Sequence, residues 1–492
     1  MLRSTLIAAV AALTLAPGAG AEAFDTANGI SGRLPAGWRV VDRYFTNCVD
    51  PREVLAVSSF RVGAKPVLPR RGAFFVLEET NAYVNRFPAR PGRFRLVGKP
   101  SGLECCVPLH APGWVVHFRA AGRGFYAYVF LGPDATRRTR SKLLGVLDSL
   151  RFRPFPRPRW RRSVALGGPA AGGRLVDGVL FPAFGERFFT WDPLLHRSPD
   201  RPWRRWGTAR LVRTVLSVVQ DAGRDHYLRI GVGDLSRRGG GPFGPRHASH
   251  QNGLDADVYY PRRDRLERPP DRVGQIDRRL SQVLVDRFVR AGAAKIFVGP
   301  NTGLRGPSGI VQPLRGHDNH LHVRLPGRDR GALLGRSSRG REIRGYERGN
   351  PLSPRRVLVF GCVHGTHCPG LAVTERLLAA QPADVDLWIV PTLNDEGLEP
   401  RARATTIARR LIAELRPDAT ISFDRAGRAS VRGSGKSALA ARRFARRVGA
   451  SVRAAPRRPR QPAVSLLVEL PPRDLTPTEV SRYAAATIRA GQ

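Results

Sequence analysis

RHASHQNGLDADVYY (Arg246–Tyr260) and RGHDNHLHVRL (Arg315–Leu325) are the two stretches whose reading decides the fold of this chain. Each ends in a run of alternating polar and apolar residues, the period of a β-strand with one buried face. In HLHVRL the imidazoles of His320 and His322 stand two residues apart, so a strand sends both to the same side. Asp255 and Asp257 alternate in the same way along LDADVYY. His250 precedes Asp257 by seven residues across QNG, a turn-forming trio that folds it back over the strand end. Two such strands side by side gather carboxylates and imidazoles on one face.

Around this core the sequence predicts three segments. Residues 24–154 mix short β-like runs (54–60, 73–78, 114–118, 124–130) with one helical stretch, 141–150, and predict a small α+β domain of unassigned role. PFPRPRWRR (Pro154–Arg162) follows as a stiff, charged linker. Residues 163–326 hold the two decisive stretches. They also hold a helix over 209–223, with Leu211, Val215, Leu216, Val218 and Val219 on one face, a strand over 226–232 and a helix over 277–291. This predicts a central α+β domain with an antiparallel sheet core. Residues 327–354, rich in Arg, Gly and Ser, read as a second linker. From 355 to 492 strands and helices alternate, which predicts an α/β domain.

The N-terminus reads as an export leader over residues 1–23: Arg3, an apolar run from Leu6 to Leu15, then small residues up to Ala23. The run is too short to span a bilayer, and no later stretch has the length of a membrane helix. The expected site is the periplasm, cell envelope or exterior. Cys48, Cys105, Cys106, Cys362 and Cys368 leave the pairing open, with Cys362 and Cys368 near enough to pair locally. Formal charge is +42, almost all of it arginine. Codon bias of a GC-rich genome and attraction to anionic envelope polymers both account for it. The charge is spread along the chain rather than gathered in one stripe with aromatics, which argues against a nucleic-acid partner. GSGKS (Gly433–Ser437) lacks the opening glycine of a phosphate loop, and GVGDLSRRGGGPFG (Gly231–Gly244) lacks the helix and acid of a dinucleotide site. The latter reads as a flexible wall of a cleft.

A catalytic zinc takes three nitrogen or oxygen donors and keeps a fourth position open. A further group must then carry a proton to the leaving amine. H-x2-H-x6-D and H-x2-H-x-H, in a chain with 11 histidines, supply enough groups for both tasks. GDLSRRGGGPFGPRHASHQNGLDADV and GHDNHLHVRL resemble the penicillin-insensitive murein endopeptidases, in the group that includes lysostaphin-type and D-Ala-D-Ala metallopeptidases. The resemblance implies one zinc ion on His250, Asp257 and His322, with His320 as the catalytic histidine. It implies His247 and His317 as further active-site histidines, and Asp255 as the carboxylate orienting a ligand imidazole. The implied activity is hydrolysis of peptidoglycan stem-peptide cross-links, of the D-alanyl to meso-diaminopimelyl type. The competing expectation is a catalytically silent envelope-binding protein with relic peptidase segments.

VLVFGCVHGTHCPG (Val357–Gly370), LWIVPTLNDEGLEPRARA (Leu387–Ala404) and SLLVELP (Ser465–Pro471) resemble zinc carboxypeptidases of the murein peptide amidase and succinylglutamate desuccinylase type. The pattern is degenerate. His367 stands where a glutamate belongs beside His364, Asp424 replaces a ligand histidine, and the asparagine–arginine substrate motif is missing after Arg403. Glu469 falls where the catalytic glutamate is expected. His364, His367 and Asp424 remain a donor set for a second metal.

Overall fold

The computed structural model describes the chain except residues 1–21, 27, 42–44, 46–49, 64–66, 81–83, 102–108, 110, 227, 245–246, 338–339, 364–367, 394–400, 434–436, 455–463 and 491–492. Two compact units result, residues 1–154 and 155–492. Most of the expected leader lies outside the described residues. Glu22 and Ala23, counted with it above, already form a strand, Glu22–Asp25, antiparallel to Ile30–Leu34.

In the first unit five strands form an antiparallel sheet in the order Arg39–Val40, Arg52–Ser58, Ala73–Thr80, Arg123–Leu131, Trp114–Ala120. One helix, Arg137–Ser149, is capped by the Thr136 hydroxyl, which accepts from the Thr139 N–H. It buries Leu143, Val146 and Leu147 against Phe75, Leu77 and Phe125. Glu79 is held by Arg123 at 2.7 Å, both fully enclosed. Its neighbour Glu78 is just as buried, yet neither of its oxygens has a hydrogen-bond partner, and it faces Glu53 across the ladder. Burial, reinforced by Glu53, pushes its carboxyl up to about 8.

The second unit contains two large sheets beside two small two-stranded ones among the described residues. The first has six strands in the order Phe188–Thr190, Ile230–Val232, Asp255–Tyr259, His320–Arg324, Lys295–Val298, Val311–Pro313. Its three inner pairings are antiparallel and the outermost two parallel. Helix Ala209–His226 runs three residues past the periodic stretch. It buries Leu211, Val212, Val215, Leu216 and Val219 against Ile230, Ala256, Val258, Leu321 and Val323 of this sheet. Helix Arg278–Arg290 starts at the Asp277 cap and adds Leu284, Val285 and Phe288 to the same core. Each such aliphatic or aromatic burial stabilises the fold by about 1.5–3 kcal/mol.

The second sheet has eight strands, in the order Ala332–Arg336, Glu342–Gly349, Asp386–Val390, Arg356–Phe360, Ala419–Arg425, Val464–Leu470, Ser430–Gly433, Ser451–Ala454. The central four are parallel. Helices Gly370–Leu378, Ser437–Val448 and Pro477–Ile488 cover one face, and Arg401–Leu415 the other. Cys362 and Cys368 are disulfide-bonded, while Cys48, Cys105 and Cys106 lie outside the described residues.

Residues 327–354 are not the linker their composition suggested, because two strands of the second sheet arise there. Ile343 and Gly345 turn inward, while Arg344 is neutralised by Glu342. Arginine-rich strands of this kind look unstructured by composition but keep their cations at the surface or paired. Nor is the central segment set apart from the one that follows. Arg213, on the helix face away from the first sheet, is 4 % exposed and donates to the carbonyl of Gly349 and to Gln381. Arg356 bridges Asp386 and the helix residue Asp221.

Candidate metal centre

Register decides the site. Strand Asp255–Tyr259 pairs with His320–Arg324 so that Asp255 faces Arg324, Asp257 faces His322 and Tyr259 faces His320. The opposite face of both strands, Ala256, Val258, Leu321 and Val323, is fully buried in the core. Apolar residues at every second position thereby fix the outward direction of the intervening aspartates and histidines. Phe297, from the next strand, lies beside His322 and walls that side.

His250 reaches the same place from a turn. Its backbone adopts φ +68°, a left-handed conformation that costs a non-glycine residue about 1–2 kcal/mol. The ring Nδ1 contacts the carbonyl of Leu235, and the Ser236 hydroxyl donates to the carbonyl of His250. With Nδ1 engaged, Nε2 is left for the site and stands 3.4 Å from Oδ1 of Asp257. The same oxygen lies 3.1 Å from Nδ1 of His322 and 3.7 Å from Nε2 of His320. The His250 and His322 ring centres are 4.7 Å apart.

The far nitrogen of His322, Nε2, is 2.8 Å from Oδ1 of Asp255, which also accepts from Arg324 at 2.6 Å. Burial works against a charge on His322, but Asp255 and Asp257 overcome it and hold the imidazole up to about 9. Burial likewise opposes the Asp257 anion, yet His250 and His320 hold it well below the usual carboxylate range. Burial presses His320 down to about 4 despite Asp257 beside it. The surroundings thus favour charge on His322 and Asp257 and oppose it on His320.

His247 approaches from the other side. Its donors, with those of His250 and Asp257, all lie within 4.8 Å of one another. This trio differs from the expected one in containing His247 in place of His322. However, Nε2 of His247 is 2.9 Å from Oδ2 of Asp234. His317 sits at the rim, its ring centre 4.8 Å from that of His320 and its Nδ1 3.1 Å from the carbonyl of Arg315. Burial lowers its basicity.

Asp234, Arg204 and Asp200 were missed by sequence reasoning. Asp234, 2 % exposed, is clamped by both Nε and Nη2 of Arg204, whose other carboxylate neighbour is Asp200 at 3.5 Å. Burial, then repulsion from Asp234, raises Asp200 to about 8. Asp234 stands in GDLS within the glycine-rich stretch, and that aspartate was the available signal. The stretch itself is pinned rather than loose, since Gly241 N–H donates to the carbonyls of Gly173 and Gln251.

The second constellation comes together only in part. Asp424 and Glu469 are register partners on neighbouring parallel strands. Glu469 accepts from the Ser430 hydroxyl and is paired with Arg432 at 2.6 Å. Burial raises its carboxyl, but Ser430 and Arg432 outweigh it and the net shift is downward. His364 and His367 lie outside the described residues.

Residues 197–291 match the family model described as penicillin-insensitive murein endopeptidase. Among curated proteins, the penicillin-insensitive murein endopeptidase of Yersinia enterocolitica is 27% identical over 185 residues, 32% of this chain and 66% of that protein. That of Haemophilus influenzae is 31% identical over 199 residues, 35% of this chain and 66% of that protein. The chain thus spans just under two thirds of the length of these relatives. Two solved structures align at low scores. One is a murein-tripeptide amidase from Escherichia coli O157 (14% identity, 33% of this chain, 91% of that chain, TM-score 0.25). The other is a succinylglutamate desuccinylase from Silicibacter (13% identity, 34% of this chain, 64% of that chain, TM-score 0.26). Scores that low add nothing to the reading of the second sheet. By sequence, the middle of the chain is similar to the penicillin-insensitive murein endopeptidase family.

Proposed function

We propose that the chain is an exported zinc peptidase that hydrolyses peptide cross-links of peptidoglycan, of the D-alanyl to meso-diaminopimelyl type. The observation that carries this reading is the convergence of His250, His320 and His322 on one oxygen of Asp257, with Asp255 behind His322. The two buried carboxylates on either side of His322 supply the negative charge that a divalent ion would balance. His250 Nε2, Asp257 Oδ1 and His322 Nδ1 are the donors that would hold it. Asp255 and the Leu235 carbonyl orient the two imidazoles from behind, as second partners of metal-ligating histidines do. His247, oriented by Asp234 at Nε2, is kept as a flanking active-site histidine, the role the resemblance implies for it.

Bound there, zinc would lower the pKa of a water towards neutrality and polarise the scissile carbonyl. The remaining work falls to the chain. His320, neutral and touching the ligand carboxylate, accepts a proton at Nε2 and returns it to the leaving amine. Its Nδ1 is fixed by Asn319 at 2.6 Å. His247 and His317 flank the centre on the side where the carbonyl oxygen gains charge. The expected partners are stem peptides and anionic envelope polymers. Among the described residues no helix is long and apolar enough to cross a membrane. In this reading the 327–492 part is a supporting or binding element, since Arg432 and Ser430 already occupy Glu469.

The test is digestion of purified cross-linked muropeptides by the full chain, with and without chelator, alongside metal analysis. One zinc per chain and chelator-sensitive release of monomers is the expected outcome. A metal-free, inactive protein that still binds sacculi would establish the silent envelope-binding alternative.

A further inference from the structure

The glycine-rich stretch before His247 carries an arginine that the proposed chemistry does not use. Trp203, 37 % exposed, is surrounded by three guanidinium groups, with those of Arg204, Arg201 and Arg237 centred 4.9, 5.2 and 5.3 Å from its ring. Two of the three are committed, Arg204 to Asp234 and Arg201 to Asp192. Arg237 is exposed and, among the described residues, its side chain makes one hydrogen bond, from Nη2 to the carbonyl of Phe243 at 3.2 Å, and has no acidic partner. Phe243 ties this shelf to the metal centre, since its ring packs on Trp203 at 5.5 Å, on His247 at 4.7 Å and on His250 at 5.4 Å.

The shelf is built rather than incidental. Gly240 has φ +76°, and a Cβ there would stand 2.3 Å from the carbonyl of Gln251, so the loop carrying Arg237 closes directly on the residue after His250. Stacking on Trp203 and the bond to Phe243 hold one edge of the guanidinium and leave the other free for a planar, doubly accepting anion.

We propose that Arg237 and Trp203 form a subsite for a substrate carboxylate beside the metal centre. The ligand class is a peptide with a free carboxylate a few bonds from the scissile amide. This rests on the peptidase reading above, since stem peptides carry such carboxylates.

The test compares the zinc-loaded full chain with Arg237→Ala, using cross-linked muropeptide dimers with free carboxylates and the same dimers with those carboxylates amidated. Arg238→Ala serves as control, as it is equally exposed but stacks on Trp206 instead. Losing a charge-assisted pair should raise KM for the free-carboxylate dimer about tenfold, with kcat and zinc content kept. Amidation should raise the wild-type KM by a similar factor and add little in Arg237→Ala. An unchanged KM in Arg237→Ala, or an equal penalty on both dimers, overturns the subsite. If the wild type cleaves neither dimer, the peptidase reading fails separately. Calorimetry with the free-carboxylate dimer then decides, because binding weakened by Arg237→Ala upholds the subsite, whereas equal binding or none to the wild type overturns it.

Discussion

The two large sheets of the second unit each bring a buried carboxylate to a strand, and they treat it in opposite ways. Asp257 is surrounded by imidazoles, which are donors to a metal as readily as to a proton, and no arginine reaches it in the described structure. Glu469 is closed by Arg432 and Ser430, groups that hold no metal and cannot be displaced cheaply. A carboxylate among histidines remains available for chemistry, whereas one paired with guanidinium becomes part of the scaffold. Glu78 in the first unit is a third case, with neither kind of partner, and burial keeps it protonated instead.

The comparison breaks most directly at the ligands. Asp257→Ala or His322→Ala is expected to remove bound zinc and abolish muropeptide cleavage, read by metal analysis and chromatography of the products. His320→Ala should keep zinc and lower kcat by about 100- to 10,000-fold, the usual contribution of a positioned acid–base group. If it loses the metal as well, His320 is a ligand and the division of roles is wrong. Asp234→Asn should weaken the hold on His247 and cost about 10- to 100-fold in activity or zinc affinity, as loss of an orienting partner does. Glu469→Gln should leave zinc content and cleavage within about twofold of the parent and cost about 1 kcal/mol of stability through Arg432 and Ser430. A large loss of turnover would mean that the second sheet takes part in the reaction.

The Glu78 case gives a pH prediction. Its folded value, about 8, lies above the ordinary 4.5, so the folded state retains a proton that the unfolded state releases. The contribution is present below about pH 4.5 and is lost as pH rises towards about 8, by at most about 1.4 kcal/mol per pH unit. The thermal stability of the first unit should fall across that window as pH rises, and Glu78→Gln should flatten the slope.

How much of this was legible depends on whether the signal was local. His320, His322, Asp255 and Asp257 announced themselves through period-two alternation, because a strand face is set by sequence spacing alone. The helices at 209–226 and 278–290 were readable for the same reason, with their apolar residues on one face. Asp234 and Arg204 were not, because they meet across 30 residues and nothing local marks a buried arginine. The strands at 332–336 and 342–349 were hidden by composition, since their arginines look like a solvated linker until Glu342 and the neighbouring strand are in place.

Arg213 carries a practical consequence for anyone dissecting the chain. Cutting after Pro326 would remove Gly349 and Gln381, the two acceptors that satisfy its buried guanidinium, and would leave Asp221 without Arg356. A fragment ending there would expose an unmatched cation on the helix that supports the histidine strands, so its failure in an assay would report lost folding rather than lost chemistry.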